Sequence, residues 1–419
     1  MKYYDKKNEC MSQEQIKKLQ LDLLNRQIKR AQKAVVYLDN PIKQIDALSE
    51  IISLPFTTKE NLRQNFPYGF LAIPQEKIAR FNATSGTTGI PTLAFFSYND
   101  LKQVSERTAR NLYCAGVRKC SFVQSMLNGG LFVGGWNYQE GLKKIGATLV
   151  PTGSGNTIRQ IYFLTQLKSE FCVSTAGYLM HLLSLITSRE WPEIKLKAAL
   201  VSGEPISSVF KEMILKNYHI DIYENYGLTE TCGAIAAECP YHKGLHIAED
   251  YFYVEIINPD TGEVLPEGEY GELVVTPLQQ EAMPLIRYRT RDITRIIPGE
   301  CPCGRTHRRI EPITHRIDDM MIINGVNVFP SQIEECIYKH LTTATNYLIH
   351  ITEKEGLKKL LIDIELPNDL LSNVEGLKVL GEELISTMKA YITVTPKLNF
   401  IPKGILPEIQ GKAKRIVKD

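Results

Sequence analysis

The period of the apolar positions changes along the chain and divides it into regions. In "MSQEQIKKLQLDLLNRQIKRAQKAVVYL", Ile16, Leu19, Leu23 and Ile28 recur at helical spacing. Ser12 followed by Gln15 supplies a capping-box start. The segment is predicted to be an amphipathic helix packed on the main body. Between about residues 100 and 225, helix-like stretches such as Leu101 to Cys114 alternate with short β-rich runs, "SFVQSML", "GATLVP", "FCVSTA", "KAALVSG" and "IDIYENYG". That alternation predicts parallel α/β units, whose ligands sit at the carboxyl ends of the strands. From about residue 250 to 297, "FYVEIINPDTGEVLPEGEYGELVVTPL" reads as strands joined by turns at Asp260-Thr261-Gly262 and Glu267-Gly268. Beyond about residue 319, helices and strands mix over roughly a hundred residues, the size of a small independent domain.

Composition narrows the class. A chain of 419 residues is too long for one ordinary core, and 43% apolar with 23% charged residues is the mixture of a folded globular protein. The formal charge of +2, from 49 basic and 47 acidic residues, gives no general attraction to nucleic acid or a membrane surface. Small anions must then be held by local geometry. The N-terminal "MKYYDKKNECMSQEQ" has no apolar stretch for a signal peptide, and no run of about 18 apolar residues occurs, so a cytoplasmic location is expected. Nine cysteines in such a compartment are reduced, and closely spaced ones read as metal ligands rather than disulfides.

"FNATSGTTGIPTLAF" (Phe81 to Phe95) sets hydroxyls and glycines between apolar flanks. No Gly-Lys pair closes it, so it is not a Walker A loop. Its backbone amides, its glycines Gly86 and Gly89 and the hydroxyls of Thr84, Ser85, Thr87 and Thr88 suit a polyphosphate; a plain surface turn is the competing reading. "CPCG" (Cys301 to Gly304) places two thiols one residue apart in a Pro/Gly turn, and "ECPYHKGLHIAED" adds Cys239, His242 and His246. A closed tetrahedral Zn²⁺ site of Cys239, His246, Cys301 and Cys303 is expected, with His242 competing as fourth ligand and Cys232 or His307 as further candidates.

Four further stretches follow the loop in order: "VSGEPIS" (Val201 to Ser207), "YENYGLTET" (Tyr223 to Thr231), "IRYRTRDI" (Ile286 to Ile293) and "HRIDDMMIINGVNVFPSQIEE" (His315 to Glu335). "GKAKRI" (Gly411 to Ile416) closes the series. With "TSGTTGIPT" it resembles the adenylate-forming superfamily of acyl-CoA synthetases. "LPFTTKENLRQNFPYG", "EAMPLIRYRTRDITRI" and "GVNVFPSQIEE" are similar to the phenylacetate-CoA ligase family. The resemblance runs from about Leu54 to Asp419.

It implies an α/β fold: a large N-terminal adenylation domain (1–317) of α/β sheets with a β-rich subdomain, and a small mobile α+β C-terminal domain (318–419) hinged at Asp318. The implied reaction joins a carboxylic acid to the α-phosphate of ATP and passes the acyl group to coenzyme A. By resemblance, Ser85, Gly86, Thr87, Thr88 and Gly89 cradle the phosphates. Gly203, Glu204, Pro205, Tyr226 and Gly227 frame adenine, and Glu224 accepts from its amino group. Thr229 touches the α-phosphate, Glu230 holds Mg²⁺, Asp292 binds the ribose with Arg316 nearby, and Lys412 stabilises the reacting phosphorus. The acyl pocket falls at Phe132, Trp136 and Tyr138. Taken singly, these residues have plainer readings: "YGLTE" as a helix start, the arginines around Asp292 as a solvated strand face, Lys412 as a mobile terminal charge.

Departures from the family pattern point to a specialised arylacetate, aryl or other small carboxylate. They are Ile90 in place of a lysine, "STAGY" (Ser174 to Tyr178), His315 before Arg316, Asn324 before Gly325 and a shortened N-terminus. Transfer to a carrier protein, arrest at AMP transfer and a non-catalytic nucleotide-binding role are the alternatives. A homodimer is carried over by analogy alone.

Overall fold

The computed structural model describes residues 2–38, 41–84, 91–187, 193–313, 315–324, 326–341, 345–354, 357–407 and 415–418. Among them, the N-terminal amphipathic helix spans Gln13–Ala31 and starts at Ser12 with the predicted capping box. Its buried face is rotated from the apolar spacing: Ile16, Gln20, Leu24, Gln27, Ile28 and Ala31 are inside, while Leu19 and Leu23 are half-buried. The two glutamines are satisfied there, Gln20 donating to the carbonyls of Glu249 and Phe252 and Gln27 to that of Gln280. The helix therefore docks by side-chain amides as well as by apolar burial. The next predicted helix starts at Tyr98, because Ser97 and Asp100 cap each other's backbone, and runs to Cys114.

A nine-stranded sheet organises the large N-terminal part. Its parallel half lies in the order Asp221–Leu228, Ala198–Ser202, Phe171–Ser174, Phe122–Ser125, Thr148–Val150. An antiparallel half continues from Asp221–Leu228 through Gly233–Glu238, Leu245–Ile247, Arg309–Ile310 and Ile296–Ile297. Alternate residues face opposite sides. Val123, Val173, Leu200 and Tyr223 pack with Leu112 and Leu142, whereas Cys172, Ala199, Val201 and Ile222 pack with Leu179, Leu183 and Phe210. Burial on both faces explains why these strands read as short apolar runs.

The region of strands and turns forms a second sheet of Phe252–Ile257, Gly271–Pro277, Tyr288–Thr294 and His315–Arg316, all antiparallel. The C-terminal part has its own four-stranded sheet, ordered Lys397–Pro402, Leu357–Leu366, Tyr347–Lys354, Ile416–Lys418. Helices Pro330–His340 and Val374–Ile392 cover it through Ile333, Ile337, Leu384 and Met388. That core is separate from the others. Tyr338 bridges outward, its ring 5.2 Å from Phe210 and its hydroxyl on the Met180 sulfur. No described helix is long and apolar enough to cross a membrane.

Candidate active site and a cysteine–histidine cluster

The parallel strands end where the motifs meet. After Ala198–Ser202 the chain turns at Gly203, whose φ of +87° favours glycine, and Glu204 accepts from the Gly177 amide at 2.7 Å. The neighbouring strand pairs Val201 with Glu224 and Ser202 with Asn225. A register shift falls between Tyr226 and Gly227. A Cβ on Gly227 would lie 2.6 Å from the Gly233 carbonyl, so only glycine lets these backbones approach. The shift aims Tyr226 at the second sheet, where its hydroxyl donates to Asp292 Oδ2 at 2.6 Å. Arg316 Nη1 lies 3.1 Å from Asp292 Oδ1. Three motifs separated in sequence thus converge on one carboxylate.

The strand carrying Asp292 is itself irregular. Glu272 pairs with Ile293 but Val274 with Arg289, which inserts extra residues around Arg291, held at φ +66°. Of the arginines beside it, Arg287 is buried and Arg289 mostly covered, so both anchor the strand rather than form a solvated face. Arg287 makes a two-bond contact with Glu255 and stacks 4.0 Å over Phe56, and Arg289 pairs with Glu272. Glu230 is buried, accepting from the Tyr288 hydroxyl at 3.0 Å while its carbonyl accepts from Gln280. Thr229 precedes it and is half-buried. Tyr288 and Gln280 escaped the sequence reading. Tyr288 stands at strand spacing from Asp292, a usable signal; Gln280 carries none.

Burial pushes Glu224 up to about 7, Lys211 opposes the rise at 2.8 Å, and Glu238 adds to it. Lys211 was not anticipated either, since nothing local marks the fourth residue of a helix that begins at Ser208.

Ser85, Gly86, Thr87, Thr88, Gly89 and Ile90 lie outside the described residues, as do Gly325 and Lys412. Strands Arg80–Ala83 and Leu93–Phe96 flank the phosphate-loop positions, and Thr84 bonds Thr92 through amide and hydroxyl at its base. Three residues after Lys412 in sequence, Arg415 donates to Asn346 Oδ1 and the Tyr347 carbonyl and sits 4.2 Å over the Tyr347 ring. Asp318 falls in the 3-10 turn Ile317–Asp319.

Of the three acyl-pocket candidates, two are partly exposed and one is buried. Phe132 and Trp136 are partly exposed, and the Trp136 indole donates to Gly130. Tyr138, two residues further along the same helix, points about 200° away and is packed among Leu112, Leu142 and Tyr223. Its ring lies in the core, and its hydroxyl reaches Ser202, next to the Gly203 turn.

Cys239, His246, Cys301 and Cys303 do converge, their ligand atoms all within 4.8 Å of one another and buried. Cys239 Sγ is 3.7 Å from Cys301 Sγ, and Cys303 Sγ is 3.3 Å from His246 Nε2. Zn–S bonds of about 2.3 Å in a tetrahedron set sulfurs about 3.8 Å apart, so the cluster has the dimensions of a zinc centre. His246 Nδ1 faces the His307 carbonyl, and the Arg305 amide donates to Cys303, as outer-shell groups do. His242 is elsewhere, between Asp221 and Glu238, while Cys232 belongs to another core and His307 Nδ1 faces the Ile247 carbonyl.

Comparison with known families gives the class of protein to which this fold belongs. The AMP-binding enzyme family matches residues 25–279 and the AMP-binding enzyme C-terminal domain matches residues 325–419. The chain is 38% identical to phenylacetate-coenzyme A ligase of Pseudomonas putida, over 88% of this chain and 84% of that one. It is 36% identical to the ligase of the same name from Aromatoleum evansii, over 98% and 96%. The chain belongs to the phenylacetate-CoA ligase family of adenylate-forming enzymes. Among solved structures it resembles 2-hydroxyisobutyryl-CoA ligase in the postadenylation state with 2-HIB-AMP, at 24% identity and TM-score 0.92, covering 100% of this chain and 93% of that one. Against the same enzyme with 2-HIB-AMP and CoA in the thioesterification state, at 25% identity and equal coverage, the TM-score is 0.73.

Proposed function

We propose that the chain is an ATP-dependent, AMP-forming acid–coenzyme A ligase acting on an arylacetate or related aryl carboxylate. The observation that carries this reading is the convergence of Tyr226, Asp292 and Arg316, with Glu230 close by in sequence, in a chain up to 38% identical to curated phenylacetate-CoA ligases. A carboxylate oxygen attacks the α-phosphorus of ATP and pyrophosphate leaves; the coenzyme A sulfur then attacks the acyl carbon and AMP leaves.

Tyr226 presents its ring to adenine beside Gly203, Glu204 and Pro205, and Glu224 receives the 6-amino group. Asp292, held by Tyr226 and Arg316, takes the ribose hydroxyls. Ser85 to Gly89 hold the departing pyrophosphate, and Thr229 the α-phosphate. Glu230, fixed by Tyr288, is the ligand for Mg²⁺, whose charge offsets that of the phosphates. Lys412 brings a cation to the pentacovalent phosphorus. The small domain (318–419) turns about Asp318 between the half-reactions. Cys239, His246, Cys301 and Cys303 hold a structural Zn²⁺ with no open position for catalysis. The acceptor is free coenzyme A, with carrier-protein transfer as the competing outcome.

Pyrophosphate release across aryl carboxylates, starting with phenylacetate and run with and without coenzyme A, tests the reading. Thioester formation only with coenzyme A is expected. No turnover with any acid despite ATP binding would leave a nucleotide-binding homologue in its place.

A further inference from the structure

A line of alternating charges runs behind the nucleotide strand. Asp221 lies 3.1 Å from His242 Nε2, and His242 Nδ1 lies 3.3 Å from Glu238 Oε2. Lys211 Nζ sits 2.9 Å from Glu238 Oε1 and 2.8 Å from Glu224 Oε2. The Glu224 amide also donates to Glu238, at 2.7 Å. The side chains of Glu238 and Glu224 are 2% and 6% exposed, so Lys211, itself mostly covered, is a buried bridge between two carboxylates. Its helix starts directly behind the Gly203-Glu204-Pro205 turn, and Glu224 pairs with Val201, the second residue before that turn.

A carboxyl at this position can read a purine in two opposite ways. Ionised, it only accepts; protonated, it carries an O–H that donates. Adenine offers an amino donor at position 6, whereas guanine and hypoxanthine offer an oxygen acceptor there. Burial and the Glu238 charge both favour the protonated carboxyl, and Lys211 is the cation that opposes them.

We propose that Lys211 makes the base pocket selective for a 6-amino purine, because its ammonium, clamped between Glu238 and Glu224, favours the hydrogen-bond-accepting carboxylate of Glu224 over the form that donates. The inference rests on the reading of Glu224 as the adenine contact. Lys211 is a positioning residue and acts through that carboxylate.

The test is calorimetric binding of AMP and IMP to the full chain, which needs no knowledge of the acid. The parent protein prefers AMP. Lys211→Met and Lys211→Gln each reduce the AMP-to-IMP preference by about tenfold, the loss of one charge-assisted hydrogen bond's discrimination. Lys211→Arg restores it. Using two replacements guards against one that does not fold, and a general loss of stability would weaken both nucleotides alike. Glu224→Gln separates the two claims, since an amide can donate or accept. If Glu224→Gln erases the preference but the Lys211 variants keep it, the role of Lys211 is overturned and the base contact stands. If Glu224→Gln leaves the preference unchanged, the base contact falls and this inference with it.

Discussion

Glu230 shows how much of the site depends on partners distant in sequence. Its carboxylate is almost enclosed, and the Tyr288 hydroxyl satisfies one oxygen. Tyr288→Phe leaves that oxygen without its donor, a change that costs about 1–3 kcal/mol when a buried group loses its partner. A lowered melting temperature and a several-fold rise in the KM for Mg-ATP are expected, whereas Glu230→Gln is expected to abolish adenylate formation while AMP still binds. Equal kinetics for parent and Tyr288→Phe would remove Tyr288 from the site. Glu230 is singled out by "YGLTE" as a candidate because the motif is contiguous. Tyr288 and Lys211 are not, since their roles come from groups 58 and 13 residues away in sequence.

Strand geometry, more than residue type, aims the functional groups. The shift at Tyr226/Gly227 and the irregular pairing around Arg291 turn Tyr226 and Asp292 toward each other. Gly227→Ala puts a methyl group against the Gly233 backbone, and overpacking of this kind costs about 1–3 kcal/mol. Chemical denaturation should show that loss together with weaker AMP binding; a stable variant with unchanged affinity would mean the approach is dispensable. Arg287 and Glu255 hold the same strand from beneath. Removing one partner of such a buried pair costs about 3–5 kcal/mol, so Glu255→Ala is expected to unfold far more readily than the parent. The N-terminal helix was readable from apolar periodicity and its capping box, and the parallel strands from short apolar runs. The glutamine-lined face of Gln13–Ala31 was not, because periodicity treats every glutamine as solvent-facing.

At the scale of the molecule, the proposed function puts Lys412 and Asp292 in different domains, so the two half-reactions are expected to separate by mutation. Lys412→Ala should lose adenylate formation by at least about 100-fold yet still make thioester from a supplied acyl-adenylate. Equal loss in both would overturn the two-arrangement reading. The cysteine cluster has a structural counterpart to this division. Cys301 and Cys303 meet Cys239, just past the strand Gly233–Glu238, while the adjoining turn holds the N-terminal segment through Arg305–Glu9 and the Tyr3 hydroxyl on the Cys303 carbonyl. Zinc analysis of untagged protein should find one equivalent, and chelation should lower the melting temperature and expose residues 2–11 to proteolysis. A protein free of metal and indifferent to chelators would reduce the cluster to thiol packing.

The sequence by itself determined the class of chemistry and the order of its parts, because phosphate loops, turn glycines and close-spaced cysteines need particular residue types within a few positions of one another. It also singled out Cys239, His246, Cys301 and Cys303 over their competitors. Only the tertiary structure decided which distant groups meet. It sent Tyr138 to the core and His242 to a line of charges, and it set Tyr288 against Glu230 and Lys211 against Glu224. Those contacts follow from sheet register and helix rotation, which are set by the whole core.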